Sequence, residues 1–456
     1  MPTSRPDRPR PEPPSWRGLR RYADRYLQRV GTPATVAVPA AEQPEQAWTR
    51  ELAGLLCAVG VELLRSGART ADVELELRDL AARYGVRARS FVVPTGLFVR
   101  AGTGPDGVGG ELDFAPVTGP DLRLDQVQAL HDLLARMRRE ALPFAEVRAE
   151  LARGRALPQR FSLAATVLGY ALLTVGLGVI QHPTPNAVAG YAVLGAAVGL
   201  LRSLAGRYLP GAATVLPVAA AIMVTGLSLR FAGPVLHEAP ELLLVPPLIA
   251  FLPGASLTMG AIELSAGDVL SGVARLAGAT NVLMLLALGI LVGTELVDPH
   301  PAGPPAPASL GAWAPWCGVL LLAVGFTLYY SAPARALGWL AGALLLERLV
   351  QTVGTGLSGA VFGAFAAGML LPPMAAWVQR HHRIPDQVVF LPCFWLLVPG
   401  SSGLTGFSQL VVQHSAASVL TLVTTVVTVV AIALGVLVGA GFQRRPRVEV
   451  APADGA

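Results

Sequence analysis

Long apolar stretches fill most of the chain after residue 160. Ten of them approach the roughly 20 apolar residues that a helix needs to cross a bilayer. Because lipid offers no partners for backbone polar groups, these stretches are predicted to be helices rather than an open sheet. The ten predicted spans are 161–181, 185–204, 210–232, 241–262, 269–293, 311–330, 335–352, 355–378, 387–410 and 415–441.

The first 160 residues have a different pattern. Residues 1–45 are rich in proline and arginine and show no periodicity, which predicts a disordered tail. Between residues 46 and 160, helical segments flank two alternating β-branched runs, Val86–Val92 and Gly96–Ala101, which are joined by a Pro-Thr-Gly turn. This pattern predicts a small α+β domain.

Arginine placement predicts the orientation of the spans, since cytoplasmic loops carry an excess of basic residues. With the 46–160 domain in the cytoplasm, nine of the arginines after residue 160 lie inside and only Arg230 and Arg348 lie outside, so both termini are predicted to be inside. The predicted regions that follow are a first five-helix repeat at 161–300, a Pro-rich linker at 301–310, a second five-helix repeat at 311–441, and a cytoplasmic tail at 442–456.

Composition excludes a single soluble globule. The chain is 53% hydrophobic and only 14% charged, whereas a soluble domain has about 25% charged residues. Residues 1–160 hold 24 of the 35 basic residues, all of them arginine, and 20 of the 30 acids. These arginines alternate with acids and form no basic run with aromatics, so no nucleic-acid partner is expected. The cysteines, Cys57, Cys317 and Cys393, have no metal-ligand or disulfide spacing, and neither a metal nor a cofactor is expected.

Two apolar stretches are interrupted in the same way. The segments 245–264 and 391–410 align at a constant offset of 146 residues, in span four of one half and span nine of the other. Because five is an odd number, the two copies must enter the membrane from opposite sides, which predicts inverted repeats. The aligned pairs are Pro246 with Pro392, Pro253 with Pro399, Gly254 with Gly400, Ser256 with Ser402, Gly260 with Gly406 and Leu264 with Leu410.

The Pro-Gly pairs carry the predicted chemistry. Proline removes an N–H and breaks the helix, and the half-helix that follows exposes N–H groups suited to a carboxylate, while the freed carbonyls can accept an ammonium group. The alternative is a simple kink in a packed helix. Asn281 is a further candidate contact, or alternatively a polar link between helices. The predicted substrate-binding residues are Pro253, Gly254, Ala255, Ser256, Pro399, Gly400, Ser401, Ser402 and Asn281.

Acids near the membrane supply candidates for proton coupling, because ionisable groups in a bilayer are costly and by default functional. Glu263 and Asp268 near the inner end of span four are the predicted proton-coupling residues, although Glu263 could instead pair with Arg275. Glu347 and Arg348 are expected to form a pair at the rim of span seven.

These motifs carry a family resemblance. The runs 66–70 (SGART) and 94–99 (PTGLFV), followed by 252–257 (LPGASL) and 267–275 (GDVLSGVAR), resemble the threonine/serine exporter family, as does the stretch from Arg383 to Ser401. The resemblance covers about residues 46–440. It implies ten spans with both ends inside a bacterial cytoplasmic membrane and energy-coupled efflux of small hydroxy amino acids. Glu263 stands where the family usually has Asp.

Three functions therefore remain in competition. The leading one is a secondary exporter of threonine and serine, coupled to the proton gradient or the membrane potential, which is not an enzyme and which is compatible with a homo-oligomer. A P-loop is excluded because the chain has no lysine. The second is a dicarboxylate exporter with a succinate-like cargo. The third is a membrane protein whose cytoplasmic domain is a hydrolase or sensor, with the candidate residues Ser66, Thr70, Asp72, Thr95 and His131. Thr70, with Asp72 and Glu74, is expected instead to cap the second helix of this domain.

Overall fold

The structure is a computed structural model that describes residues 44–102, 104, 110–297, 309–397 and 416–442. The described residues from Thr49 onward belong to one compact unit. The predicted tail up to residue 43, most of the predicted linker, the second Pro-Gly motif and the C-terminal tail from residue 443 lie outside the described residues.

The N-terminal region combines helices with a three-stranded sheet. Its strands pair antiparallel in the order β1-β2-β3, and the inward side chains Leu97 and Val99 of β2 are fully buried. Helix α1 approaches the sheet at Gly60, where an added Cβ would meet Leu97 and Leu77. The elements are α1 (Pro44–Arg65), α2 (Thr70–Arg83), β1 (Arg87–Val93), β2 (Gly96–Gly102), β3 (Glu111–Pro116), α3 (Leu124–Met137) and α4 (Phe144–Arg155).

The rest of the described chain is helical and apolar. Seven helices are long and apolar enough to cross a membrane, namely α5, α6, α7, α9, α11, α12 and α14, while α10 and α13 are shorter apolar helices. The chain is therefore a mostly helical, multi-pass membrane protein. The helices are α5 (Leu163–Gln181), α6 (Pro185–Tyr208), α7 (Leu216–Phe231), α8 (Gly254–Ser265), α9 (Val269–Leu296), α10 (Ala314–Tyr329), α11 (Leu337–Ser358), α12 (Ala360–His382), α13 (Asp386–Leu397) and α14 (Ala416–Gly441).

The fourth predicted span differs from the expectation of one helix over 241–262. Two 3-10 segments, Pro240–Leu243 and Pro246–Phe251, come first, and the α-helix α8 begins only at Gly254. The physical reason is the density of prolines in this stretch, since each proline lacks the N–H that would continue an α-helix.

Glycines bring α5 and α10 into close contact. Gly169 of α5 lies against Gly325 of α10, and Gly176 lies against Gly318. Rising numbers on one helix meet falling numbers on the other, so the two helices run antiparallel. Small residues at such crossings let the backbones approach closely, which is how helices associate in lipid.

The α5–α10 crossing predicts the effect of a single methyl group. In Gly325→Ala the new Cβ would lie 2.5 Å from the Leu173 nitrogen and 2.6 Å from the Gly169 oxygen. Backbone atoms cannot yield easily, so we expect a loss of about 1–3 kcal/mol of stability, measured by thermal unfolding in detergent micelles. Gly342→Ala in α11, where nothing lies within 4 Å of the added Cβ, is the control. Equal unfolding midpoints for the two variants would contradict the close crossing.

Candidate functional site

The chain is interrupted immediately before α8. Leu252 is extended, with φ −65° and ψ 122°, and Pro253 has φ −81° and ψ 36°. The first helical bond runs from the Leu257 N–H to the Pro253 carbonyl, at 2.9 Å. Pro253 and Gly254 are buried, so this break lies inside the protein.

The break leaves polar groups without partners. In the part of the chain that the structure describes, the N–H groups of Gly254, Ala255 and Ser256 have no acceptor, and the carbonyls of Phe251 and Leu252 have no donor. The Thr258 hydroxyl, one turn into α8, is fully buried and also lacks a partner there. Donors at the positive end of a helix dipole suit an anionic group.

A cationic side chain lies beside the break. Arg202 of α6 donates from Nη1 to the Ala250 carbonyl at 3.2 Å, and its guanidinium carbon lies 4.5 Å from the Phe251 ring centroid and 5.7 Å from that of Tyr329. Among the described residues it forms no ion pair with a carboxylate, unlike Arg275, which pairs with Glu263. The charge of the guanidinium is therefore not neutralised by an ion pair among the described residues.

Aromatic side chains extend this cluster to the second half of the chain. Tyr170 donates to the Pro247 carbonyl at 2.8 Å and stacks edge-on against Tyr329 at 4.9 Å. Tyr330 then contacts Trp395 of α13 at 5.5 Å. We call Tyr170, Arg202, Phe251, Tyr329, Tyr330 and Trp395 the arginine–aromatic cluster.

Helix α8 also contacts the second half directly, because it packs against α13 and α14. The first Pro-Gly motif is thus next to the helix that leads into the second motif. The predicted residues of that second motif, Pro399, Gly400, Ser401 and Ser402, lie outside the described residues, as does their geometry relative to Gly254.

Arg202 is the residue that the sequence interpretation missed. It counted only as one of the inner arginines that orient the spans, although it stands at the end of the predicted span 185–204. In the structure, α6 continues to Tyr208, so Arg202 lies within the helix. A usable signal was its position after a long apolar run, together with the aromatic residues at the ends of two other apolar stretches, Phe251 and Tyr329–Tyr330.

Glu263 at the other end of α8 ties the membrane helices to the N-terminal region. Its Oε2 accepts from Arg275 Nε at 3.0 Å, and its Oε1 accepts from the Thr70 N–H at 3.5 Å and the Thr70 hydroxyl at 3.3 Å. Arg275 in turn donates to the Ala68 carbonyl at 3.2 Å. Of the two interpretations left open for Glu263, the structure contains the Arg275 pair.

This arrangement corrects one detail of the sequence interpretation. Thr70 was expected to cap its own helix, but the first residue outside α2 is Arg69 and no side chain of α2 caps it. The Glu263 carboxylate instead accepts from the N-terminal N–H of α2, where a negative charge is favourable. A contact 193 residues away along the chain replaces the local cap.

The remaining predicted contacts lie apart from the break. Asp268 is half-buried just before α9, and its N–H donates to the Glu263 carbonyl at 2.8 Å. Asn281 is exposed on α9. The structure therefore places Asp268 beside Glu263 and leaves Asn281 away from the buried polar groups of the break.

The candidate hydrolase residues have separate partners. The Ser66 hydroxyl donates to the Leu63 carbonyl at 2.7 Å, Asp72 pairs with Arg69, and Thr70 contacts Glu263. Burial lowers the pKa of His131, which lies close to Asp386 at the start of α13. Among the described residues these groups make no shared nucleophile–base contact.

Cys57 and Asp121 are titratable groups outside the membrane, and burial shifts the pKa of both. Burial raises the pKa of the Cys57 thiol to about 12, so the thiol stays neutral and unreactive. The pKa of Asp121 is raised by burial, against the opposing effect of Arg65, Arg275 and Arg202. Within the described residues no cluster of His, Cys and acids has metal-binding geometry.

The Glu263 contacts predict that replacing this carboxylate with a neutral amide of the same shape will lower the stability of the protein substantially. Glu263 is 2% exposed and Arg275 is 15% exposed, so Glu263→Gln leaves a poorly solvated arginine and should cost about 2 kcal/mol or more, measured by thermal unfolding in detergent. Glu51→Gln, which breaks the exposed pair with Arg148, is the matched control and should cost under about 1 kcal/mol. Equal losses of stability in the two variants would show that the buried pair stabilises the protein no more than the exposed pair does.

Comparison with known proteins completes the description. The ThrE family model, described as a threonine/serine exporter, matches residues 55–297, a little more than half of the chain. The match includes the break before α8 and the Glu263–Arg275 pair. No curated protein and no solved structure matches the chain. The chain belongs to the threonine/serine exporter family.

Proposed function

We propose that the chain is a secondary active exporter of threonine and serine, coupled to the proton gradient or the membrane potential. The observation that carries the proposal is the break at Pro253 and Gly254, where free backbone donors and acceptors lie beside an arginine that has no carboxylate partner among the described residues. The family match supports transport rather than catalysis, because the matching family is one of exporters.

The cargo fits the groups at the break. The α-carboxylate would accept from the N–H groups of Gly254, Ala255 and Ser256 and from Arg202, in charge-assisted hydrogen bonds. The ammonium group would donate to the freed carbonyls of Phe251 and Leu252. The hydroxyl that threonine and serine share would pair with the buried Thr258 hydroxyl, and the predicted second motif, Pro399 to Ser402, would complete the site from the other half.

The architecture proposed for this exporter has ten spans in two inverted five-helix repeats. Two observations support it. The first helices of the two halves, α5 and α10, cross antiparallel. The third and fifth membrane segments pack together in both halves, as α7 with α9 and α12 with α14. Equivalent pairs on opposite sides of an antiparallel crossing are what inverted repeats require.

The orientation proposed places both termini in the cytoplasm and the spans in a bacterial cytoplasmic membrane. Contacts between the N-terminal region and three membrane-helix ends support one shared side. Arg275 donates to Ala68, the Leu124 N–H donates to the Tyr330 carbonyl at 3.1 Å, and Gln128 donates to the Arg383 carbonyl at 3.3 Å. Residues 46–160 would then be a cytoplasmic domain docked on these ends.

Glu263 and Asp268 stand in this proposal as groups that couple protons at the docking surface. Protonation of Glu263 would remove its ion pair with Arg275 and weaken its contact with Thr70, which would loosen the N-terminal region from α8. The coupling would then act on the cytoplasmic end of the half-helix that begins at Gly254.

The experiment is threonine efflux from proteoliposomes. Arg202→Gln removes a charge-assisted contact worth roughly one tenfold step or more in binding, so efflux at low threonine should fall about tenfold. Arg207→Gln, on the same helix but outside the arginine–aromatic cluster, is the control. Gly254→Leu should also abolish efflux, whereas Gly206→Leu, in open space, should not. Efflux that is equal in Arg202→Gln and Arg207→Gln would count against the site.

A dicarboxylate exporter is the second candidate, and Arg202 is the observation that favours it. A succinate-like cargo needs a cation in addition to the helix N-terminus, and Arg202 supplies one beside the break. Competition decides between the cargoes. Excess serine should inhibit threonine efflux because the two share the site, and excess succinate should leave it unchanged. Inhibition by succinate alone would favour the dicarboxylate.

A further inference from the structure

A carboxyl group is buried halfway along a membrane helix. Glu347 is the eleventh of the 22 residues of α11, Leu337–Ser358, and its exposed fraction is 0%. At a rise of about 1.5 Å per residue, it lies roughly 15 Å from either end of the helix. In the part of the chain that the structure describes, neither of its carboxyl oxygens has a hydrogen-bond partner.

The surroundings of Glu347 contain little charge. Helix α11 packs against α10, α12 and α13. The charged or titratable groups that face the carboxyl among the described residues are Arg348, next to it in α11, and the Cys393 thiol on α13; α10 and α12 contribute none. Arg348 does not form an ion pair with Glu347 and instead donates to Gln351 at 3.1 Å. The expectation of a Glu347–Arg348 pair at the membrane rim is therefore wrong.

An unpaired carboxylate in such a place is costly. Transfer of an ionised carboxylate into an apolar interior without a partner is so unfavourable that the group takes up a proton instead. Acids inside membrane proteins accordingly mark proton and ion pathways. Glu263, by contrast, already has Arg275 and Thr70 as partners.

Glu347 is also linked to the break through one helix. Cys393, which faces Glu347, and Trp395, which belongs to the arginine–aromatic cluster, are two residues apart on α13. Residues two apart point to nearly opposite sides of an α-helix. Helix α13 therefore lies between the carboxyl and the cluster, so a change of charge at Glu347 would act on the helix that carries Trp395.

We propose that Glu347 carries the proton through the membrane interior, in addition to the coupling proposed for Glu263 and Asp268 at the docking surface. Its carboxylate takes up the inward-moving proton to become a neutral acid, and it releases that proton again while the cargo moves outward. The proposal rests on the proposed function for its cargo, but the site itself rests on the burial and missing partners of Glu347. The only bond that forms and breaks is the O–H bond of the Glu347 carboxyl group, so the step balances with one proton taken up and one released.

The first test separates proton coupling from cargo movement. Proteoliposomes holding Glu347→Gln are assayed for threonine exchange at equal pH on both sides and for net threonine efflux driven by a pH gradient. We expect exchange within about twofold of the wild type, and gradient-driven efflux and threonine-dependent proton movement reduced at least about tenfold. Glu347→Asp should restore part of the coupling. Glu295→Gln, which changes an exposed acid at the end of α9, should alter neither assay.

Two results would overturn the proposal. Full gradient-driven efflux in Glu347→Gln would assign the proton to other groups, either to Glu263 and Asp268 alone or to Glu238, whose carboxyl oxygens also lack described partners. Loss of exchange in a Glu347→Gln protein that unfolds at the wild-type temperature would assign Glu347 to cargo binding instead.

A second measurement does not depend on the cargo. Infrared difference spectra of the wild type minus Glu347→Gln in lipid should contain the C=O stretch of a neutral carboxyl group at pH 7. Its presence supports the proton site even if the wild type moves no threonine, a result that would defeat the proposed cargo alone. Its absence, with only ionised carboxylate bands in the difference, overturns the proposal whatever the protein transports.

Discussion

The satisfaction of backbone polar groups inside the membrane is the constraint on which the structure depends. Lipid supplies no hydrogen-bond partner, so irregular backbone is tolerated only where protein or a water-filled cavity surrounds it. The break at Pro253 frees several such groups at one point. Arg202 and Tyr170 donate to the carbonyls of Ala250 and Pro247 just before the break. The N–H groups of residues 254–256 and the carbonyls of residues 251 and 252 have no partner among the described residues. The proposed site for a small zwitterion would supply partners to the groups that remain.

The short helix α8 connects two kinds of environment. Its N-terminus lies beside Arg202 in the membrane region, and its C-terminal turn carries Glu263, which pairs with Arg275 and contacts the first turn of α2. Any displacement of the N-terminal region therefore acts on the element that presents the free N–H groups. The buried Glu263–Arg275 pair fixes the position of α8 more than it stabilises the fold, since the desolvation of both ions opposes their attraction.

Much of the local structure could be predicted. The apolar lengths predicted most of the membrane helices because a bilayer imposes a minimum length on each, and the β-branched runs around Pro94 to Gly96 predicted β1 and β2. Proline chemistry predicted an interruption at Pro253, and α8 does begin at Gly254. It did not predict that the residues before Pro253 form 3-10 segments, because several successive prolines act together there.

What the sequence alone determined is the class of the protein: a multi-pass helical membrane protein of the threonine/serine exporter family, with a broken segment at Pro253. What only the tertiary structure decided is the environment of its ionisable groups. Arg202 forms no ion pair with a carboxylate within the described residues, Glu263 is paired, and Glu347 is buried halfway along its helix. Membrane helices are apolar all round, so their pattern does not tell which face is covered. The partners of these groups come from helices far apart in the chain, and only the packing of those helices brings them together.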